Sequence, residues 1–149
     1  MTELVFRTPT LQDSDKLSDL ITQLGYPITP ELMRKRLETY LASNCNYAIL
    51  AISDDNVVGL ASFTIIDCFH MDRKFARITS LVVDEHQRNH GIGKALIKHA
   101  EKIINSAGCT SIEVSSNINR AASGTHDFYS SAGYNDVRAE IVYFRKTTT

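Results

Sequence analysis

Apolar positions recur along this 149-residue chain in two periods, and the switch from one to the other marks out its elements. Leu4 and Phe6 share one face of a first strand expected over residues 4–7. Leu17, Leu20, Ile21 and Leu24 then fall at the spacing of one helical face, with Thr10 or Asp13 to cap the helix and Gly25 to stop it. Thr29 as N-cap and Pro30 at the first helical position predict a second helix carrying Met33, Leu37, Tyr40 and Leu41. Residues 47–52 and 57–66 read as a hairpin turned by Ser53, Asp54, Asp55 and Asn56. After a mixed segment over residues 67–75 comes an apolar, partly β-branched run (Ile78, Leu81, Val82, Val83), the pattern of a strand buried on both faces. It feeds a turn and then an amphipathic helix with Ile92, Leu96, His99, Ala100, Ile103, Ile104 and Ala107 on one stripe. Ile112 and Val114 alternate with Glu113 in a further strand. Thr125 can cap a short helix holding Phe128, Tyr129 and Ala132 and ending at Gly133, and Val137 with residues 139–145 supplies closing strands. Strands interleaved with helices predict an α/β fold, three layers (α/β/α) around one mixed sheet.

Composition narrows this to a single domain over residues 1–149: 43% hydrophobic and 22% charged residues suit one packed core. A formal net charge of -1 provides no general attraction for nucleic acid or for an anionic membrane. No apolar run approaches the ~20 residues of a membrane span, and the N-terminus lacks a signal-peptide pattern, so cytoplasmic residence is expected. Cys45, Cys68 and Cys109 are unevenly spaced and form no C-x-x-C pair, which argues for reduced thiols and against a metal site.

The chemistry concentrates where the central strand turns into the long helix. Arg88, Asn89, His90, Gly91, Ile92, Gly93 and Lys94 bring two glycines and two cations to a helix start, whose first N–H groups have no intrahelical partner and suit phosphate oxygens. Neither common phosphate loop matches. Leu96 stands where G-x-G-x-x-G needs its third glycine, and Ala95 follows the lysine where a P-loop needs Ser or Thr.

At these residues the chain resembles the GCN5-related N-acetyltransferases (the GNAT family), whose hallmark V-x-x-x-x-[QR]-x-x-G-x-[GA] is matched by Val83, Arg88, Gly91 and Gly93. The later run Asn117, Ile118, Asn119, Arg120, the His126, Asp127, Phe128, Tyr129 stretch and the closing Gly133-Tyr134 are similar to the family's second half, which ends F-Y-x-x-x-G-[FY]. The resemblance implies a GNAT-like acyl-CoA N-acyltransferase fold with a mixed, mostly antiparallel sheet. It implies acetyl-CoA as cosubstrate, its pyrophosphate on the N–H groups of residues 88–94 and its amide-rich arm along Leu81, Val82 and Val83, with Asn119 or Asn117 beside it. The family's frequent bulge in this strand has no signature here. The acceptor would be a primary amine of a small molecule, with aminoalkylphosphonates and aminoglycosides among relatives' substrates, flanked by the first two helices and their link. There Tyr26, Met33 and Tyr40 are either acceptor-wall or core residues. A homodimer is implied only by analogy.

Direct attack by a neutral amine on the thioester requires an oxyanion donor, a proton for the leaving sulfur and a route for the amine proton. A main-chain N–H at residues 81–83 fits the first need. Tyr129 is the candidate general acid, although transfer from a phenol near pKa 10 to a thiol near 8.5 is uphill by about 2 kcal/mol. Only about 0.04% of an alkylamine of pKa 10.4 is neutral at pH 7. Where many relatives carry a glutamate, this chain has Thr79 and Ser80, so the base falls to His70, Glu113, His126 or ordered water. Two other readings use the same fold: a coenzyme A-binding sensor module with weak catalysis, and a protein or peptide N-acetyltransferase.

Overall fold

The computed structural model describes residues 3–116 and 124–148, in two compact units, Met1–Ser115 and Ser116–Thr149. In the first unit the order is β1 (Val5–Arg7), a 3-10 turn (Leu11–Asp13), α1 (Ser14–Leu24), α2 (Pro30–Ala42), β2 (Asn46–Ser53), β3 (Asn56–Asp67), β4 (Lys74–Val83), a second 3-10 turn (Glu85–Gln87), α3 (Ile92–Ser106) and β5 (Ser111–Val114). The second contains α4 (Thr125–Ser131).

Local signals account for most boundaries. Thr10 and Asp13 act together rather than as alternatives. Thr10 precedes the 3-10 turn, and Asp13 caps α1 while accepting the Thr10 N–H at 2.7 Å and the Arg7 guanidinium through two 2.8 Å bonds. Thr29 accepts the Leu32 N–H to start α2, and Gly25 ends α1 with φ at 111°. Asp54 and Asp55, with φ of 48° and 61°, make the tight left-handed turn that matches strand twist between β2 and β3.

The sheet runs β1-β2-β3-β4-β5, antiparallel except for the parallel β4–β5 pair. On one face Leu17, Leu20 and Ile21 of α1 and Met33 and Leu37 of α2 bury against Leu50, Leu60 and Val82. The opposite face packs on α3, whose Leu96, Ile97, Ala100 and Ile104 are buried. Gly59 sets how near α3 comes: a Cβ there would meet Leu96 Cδ1 at 2.8 Å and the Val82 carbonyl at 3.2 Å. The result is the expected three-layer α/β/α arrangement. Among the described residues no helix is long and apolar enough to cross a membrane.

Three expectations need correction. β4 starts at Lys74, because Phe75 and Ala76 extend the ladder against Ile66 and Ile65, and only part of it is buried on both faces: Thr79 is exposed. α4 has Gly124, with φ at 80°, as its N-cap in place of Thr125. No residue from 134 to 148 lies in a strand. Instead the N–H groups of Glu140 and Ile141 both donate to the Val137 carbonyl, so the backbone closes into a turn where a closing strand was expected.

Candidate functional site

The decisive feature is a register shift in β4. Ser62 of β3 pairs with Ser80, but the next residue, Phe63, pairs with Ile78, so Thr79 is an extra residue and β4 bulges there. Parallel pairing with β5 stops at the same place, its last partners being Ile78 and Val114. Beyond it, among the described residues, β4 is laddered only to β3.

The direction of the main-chain groups follows from alternation. The Asp84 N–H donates to the Val58 carbonyl at 2.9 Å, so Val82, two residues earlier, also turns its N–H and C=O toward β3. Leu81 and Val83 therefore present theirs on the opposite edge, and the Arg88 Nε–H donates to the Val83 carbonyl from that side at 3.2 Å. Of the three residues singled out in the sequence, Leu81 and Val83 line the open edge by their backbone. Val82 contributes its buried side chain to the core under α1 and α2.

This edge leads into the turn. Asp84 is only 7% exposed; its carboxylate accepts the His86 N–H and pairs with the Lys16 ammonium of α1. The Lys16 hydrogen bond and then that N–H hold the Asp84 carboxyl below the usual carboxylate range. Gln23 of α1 accepts the Glu85 N–H at 2.9 Å, so α1 fixes the turn at two points. Asn89 and Gly91 then take left-handed conformations, φ 65° and 77°, and Gly91 is the N-cap of α3. A Cβ on Gly91 would meet no atom within 4 Å, so the space in front of it is open. Arg88, Asn89, His90, Gly91 and Lys94 are exposed, Ile92 is buried, and the His90 ring contacts the Gln87 carbonyl at 3.2 Å. What results is a main-chain concavity at a helix N-terminus, flanked by cations and suited to an anion.

The proposed bases fare differently. Glu113 lies across from Arg77 on the β4–β5 ladder and accepts from Arg73 at 2.7 Å and Arg77 at 3.0 Å. Burial raises its carboxyl, but the two guanidiniums outweigh it and hold the group below its ordinary value. A carboxylate made less basic in this way by two permanent cations is a poor proton acceptor. His70 sits in the β3–β4 loop, before the start of β4 at Lys74. Six residues of strand separate Lys74 from Ser80, roughly 20 Å at the usual rise, so His70 is at the far end of the strand from the bulge.

Sequence reasoning missed a row of hydroxyls at the bulge. Ser62 is within 2.7 Å of Ser80 and 2.8 Å of Thr79, and Tyr40 of α2 reaches Thr79 at 3.3 Å. The adjacent Thr79 and Ser80 in an otherwise apolar run were the available signal. In the second unit, Tyr129 of α4 packs edge-on against Phe128 and Tyr134, with ring centroids 5.4 and 5.8 Å away. Asn117 and Asn119 lie outside the described residues. Among the described residues no cluster of His, Cys, Asp or Glu could hold a metal ion.

A GNAT family acetyltransferase from Staphylococcus aureus subsp. aureus USA300_TCH1516 superposes with a TM-score of 0.80 at 23% identity, over 99% of this chain and 100% of that one. The aminoglycoside 6'-N-acetyltransferase AAC(6')-Ih from Acinetobacter baumannii gives 0.82 at 15% identity, over 99% and 100%. Aminoglycoside N-acetyltransferase AAC(6')-Iy, in complex with CoA, gives 0.79 at 16% identity, over 99% and 97%. At these identities the likeness is one of fold. The acetyltransferase (GNAT) family model, however, matches residues 14–134, most of the sequence, and on that match the chain belongs to the GNAT acetyltransferase family.

Proposed function

We propose that residues 1–149 form one acetyl-CoA-dependent N-acetyltransferase domain, acting in the cytoplasm on a primary amine of a small molecule. The observation that carries this is the continuity of the open β4 edge with the left-handed Gly91 helix start. Among the described residues, the Leu81 and Val83 main-chain groups facing away from β3 lead to an uncrowded anion cradle, which suits a ligand with an amide-bearing arm and a diphosphate. Bound there, acetyl-CoA would supply an activated acetyl thioester. The N–H groups of Ile92, Gly93 and Lys94 would bind the diphosphate, with Arg88 and Lys94 adding charge. Leu81 and Val83 would hold the arm by sheet-type hydrogen bonds, the mode by which an extended ligand adds to a strand edge. A donor among these amides would stabilise an oxyanion, an interaction whose loss typically costs about 3 to 4 kcal/mol.

Tyr129 is assigned the proton for the leaving sulfur. Glu113 and His70 have no part in this account, since one is held by two arginines and the other is remote; the amine proton leaves through water. A water route meets the need because a positioned base usually contributes only about 10²- to 10⁴-fold. Structural neighbours include proteins named for aminoglycosides, so polycationic small amines head the list of acceptors to try.

The test is thiol release from acetyl-CoA with a panel of 2-aminoethylphosphonate, polyamines, aminoglycosides and free lysine, alongside calorimetry with coenzyme A. Binding together with amine-dependent release is expected. Binding with no transfer to any amine would replace the transferase reading with that of a sensor module, and absence of binding would remove both.

A further inference from the structure

We propose that Thr79 orients the acceptor amine by accepting one of its N–H bonds, and that Tyr40, Ser62 and Ser80 fix Thr79 in the accepting state. The inference rests on the amine-transfer reading and assigns a role to the hydroxyls at the β4 bulge.

Counting protons fixes the direction of each hydroxyl bond. A hydroxyl carries one hydrogen and two lone pairs. The Ser62 hydroxyl donates to Ser80, so it has no hydrogen left for Thr79 and must accept from it. Thr79 has then given its only hydrogen to Ser62, and its contact with the Tyr40 hydroxyl can only be one in which Tyr40 donates. The four groups therefore form a one-way chain, Tyr40 to Thr79 to Ser62 to Ser80, in which, among the described residues, Thr79 Oγ1 keeps one unused lone pair and no hydrogen. Ser62 is 7% exposed and Thr79 is exposed, so the buried end sets the polarity and the exposed end displays it.

Position supports the assignment. The bulge turns the Thr79 and Ser80 side chains to the same side of the sheet as Ser62, which alternation places with Leu60 on the α1/α2 face. Thr79 thus stands where the β4 edge opens. The nearest charged groups by ladder position, Arg77 and Glu113, are ion-paired, with Glu113 shared between Arg77 and Arg73. An acceptor-only oxygen takes one N–H of the neutral amine and leaves the amine lone pair free for attack. No proton changes owner in this step.

The test is steady-state kinetics on the full chain with the best amine of the panel, for Thr79→Val, Thr79→Ser and Ser62→Ala, with acetyl-CoA affinity by calorimetry and a thermal melt on each. Thr79→Val, which keeps the shape and removes the oxygen, is expected to lower kcat/KM at least tenfold with acetyl-CoA affinity unchanged. Thr79→Ser is expected to restore it to within about threefold. Ser62→Ala, which removes the sink for the Thr79 hydrogen, is expected to lower it without touching the amine. Wild-type kcat/KM in Thr79→Val, or equal losses in the Val and Ser variants, would overturn the assignment while leaving the transferase reading intact. A wild-type protein that binds acetyl-CoA yet acetylates no amine would overturn both.

Discussion

Replacing Gly91 by alanine separates the cost to the fold from the cost to the ligand. At φ 77° a non-glycine residue carries left-handed strain of roughly 1–2 kcal/mol, and since no atom lies within 4 Å of the added Cβ, no clash adds to it. For a chain of this length that corresponds to a fall in Tm of about 2–8 °C. Gly108 supplies a matched control at the other end of α3, with φ 83° and equally open space. The helix between them is about 22 Å long, so Gly108→Ala has the same strain but is far from the cradle. If the diphosphate rests on the N–H groups behind Gly91, the new methyl stands in its approach. Losing one hydrogen bond to a charged group costs about 1.5–3 kcal/mol, or tenfold to more than a hundredfold in affinity. The assays are a thermal melt and calorimetry with coenzyme A. We expect equal Tm losses in the two variants and weakened binding in Gly91→Ala alone. Equal affinities would refute the placement of the phosphate.

Other substitutions probe neighbouring parts of the account. Tyr129→Phe is expected to cut turnover at least tenfold with little change in coenzyme affinity, and unchanged turnover would remove its acid role. Gly59→Ala forces a Cβ to within 2.8 Å of Leu96 and 3.2 Å of a main-chain oxygen, so overpacking should destabilise the chain by about 1–3 kcal/mol, measured by urea denaturation. Asp84→Asn should cost about 1 kcal/mol at pH 7. Because the folded carboxyl is held below its ordinary value, this contribution is present above the unfolded pKa and disappears as pH falls through the lower folded one. The variant and wild-type stabilities should therefore converge in strong acid, and a gap independent of pH would contradict the Lys16 pairing.

What the sequence disclosed was local. Thr29-Pro30, Gly25 and the helical spacing of Leu17, Leu20 and Ile21 each specify a structure within a few residues, and α1 and α2 formed accordingly. Gly91 was equally legible, since strand, turn and helix lie in unbroken order around it. The features that shape the site are pairwise and distant. The Thr79 bulge exists only relative to Ser62, seventeen positions away, and the turn at Asp84 is fixed by Lys16, sixty-eight positions away. Glu113 looked like a free carboxylate because Arg73 and Arg77 approach it only once β4 and β5 pair. Lys74 and Arg77 hid the first half of β4, since ion-paired polar positions do not read as strand in an apolar pattern.

Residue-resolved amide hydrogen exchange, with and without acetyl-CoA, tests the central claim most directly. The account predicts new protection at Leu81 and Val83 and at Ile92, Gly93 and Lys94, while Val82, whose N–H already faces β3, changes little. Protection confined to other segments, or none at these five amides under saturating acetyl-CoA, would contradict it.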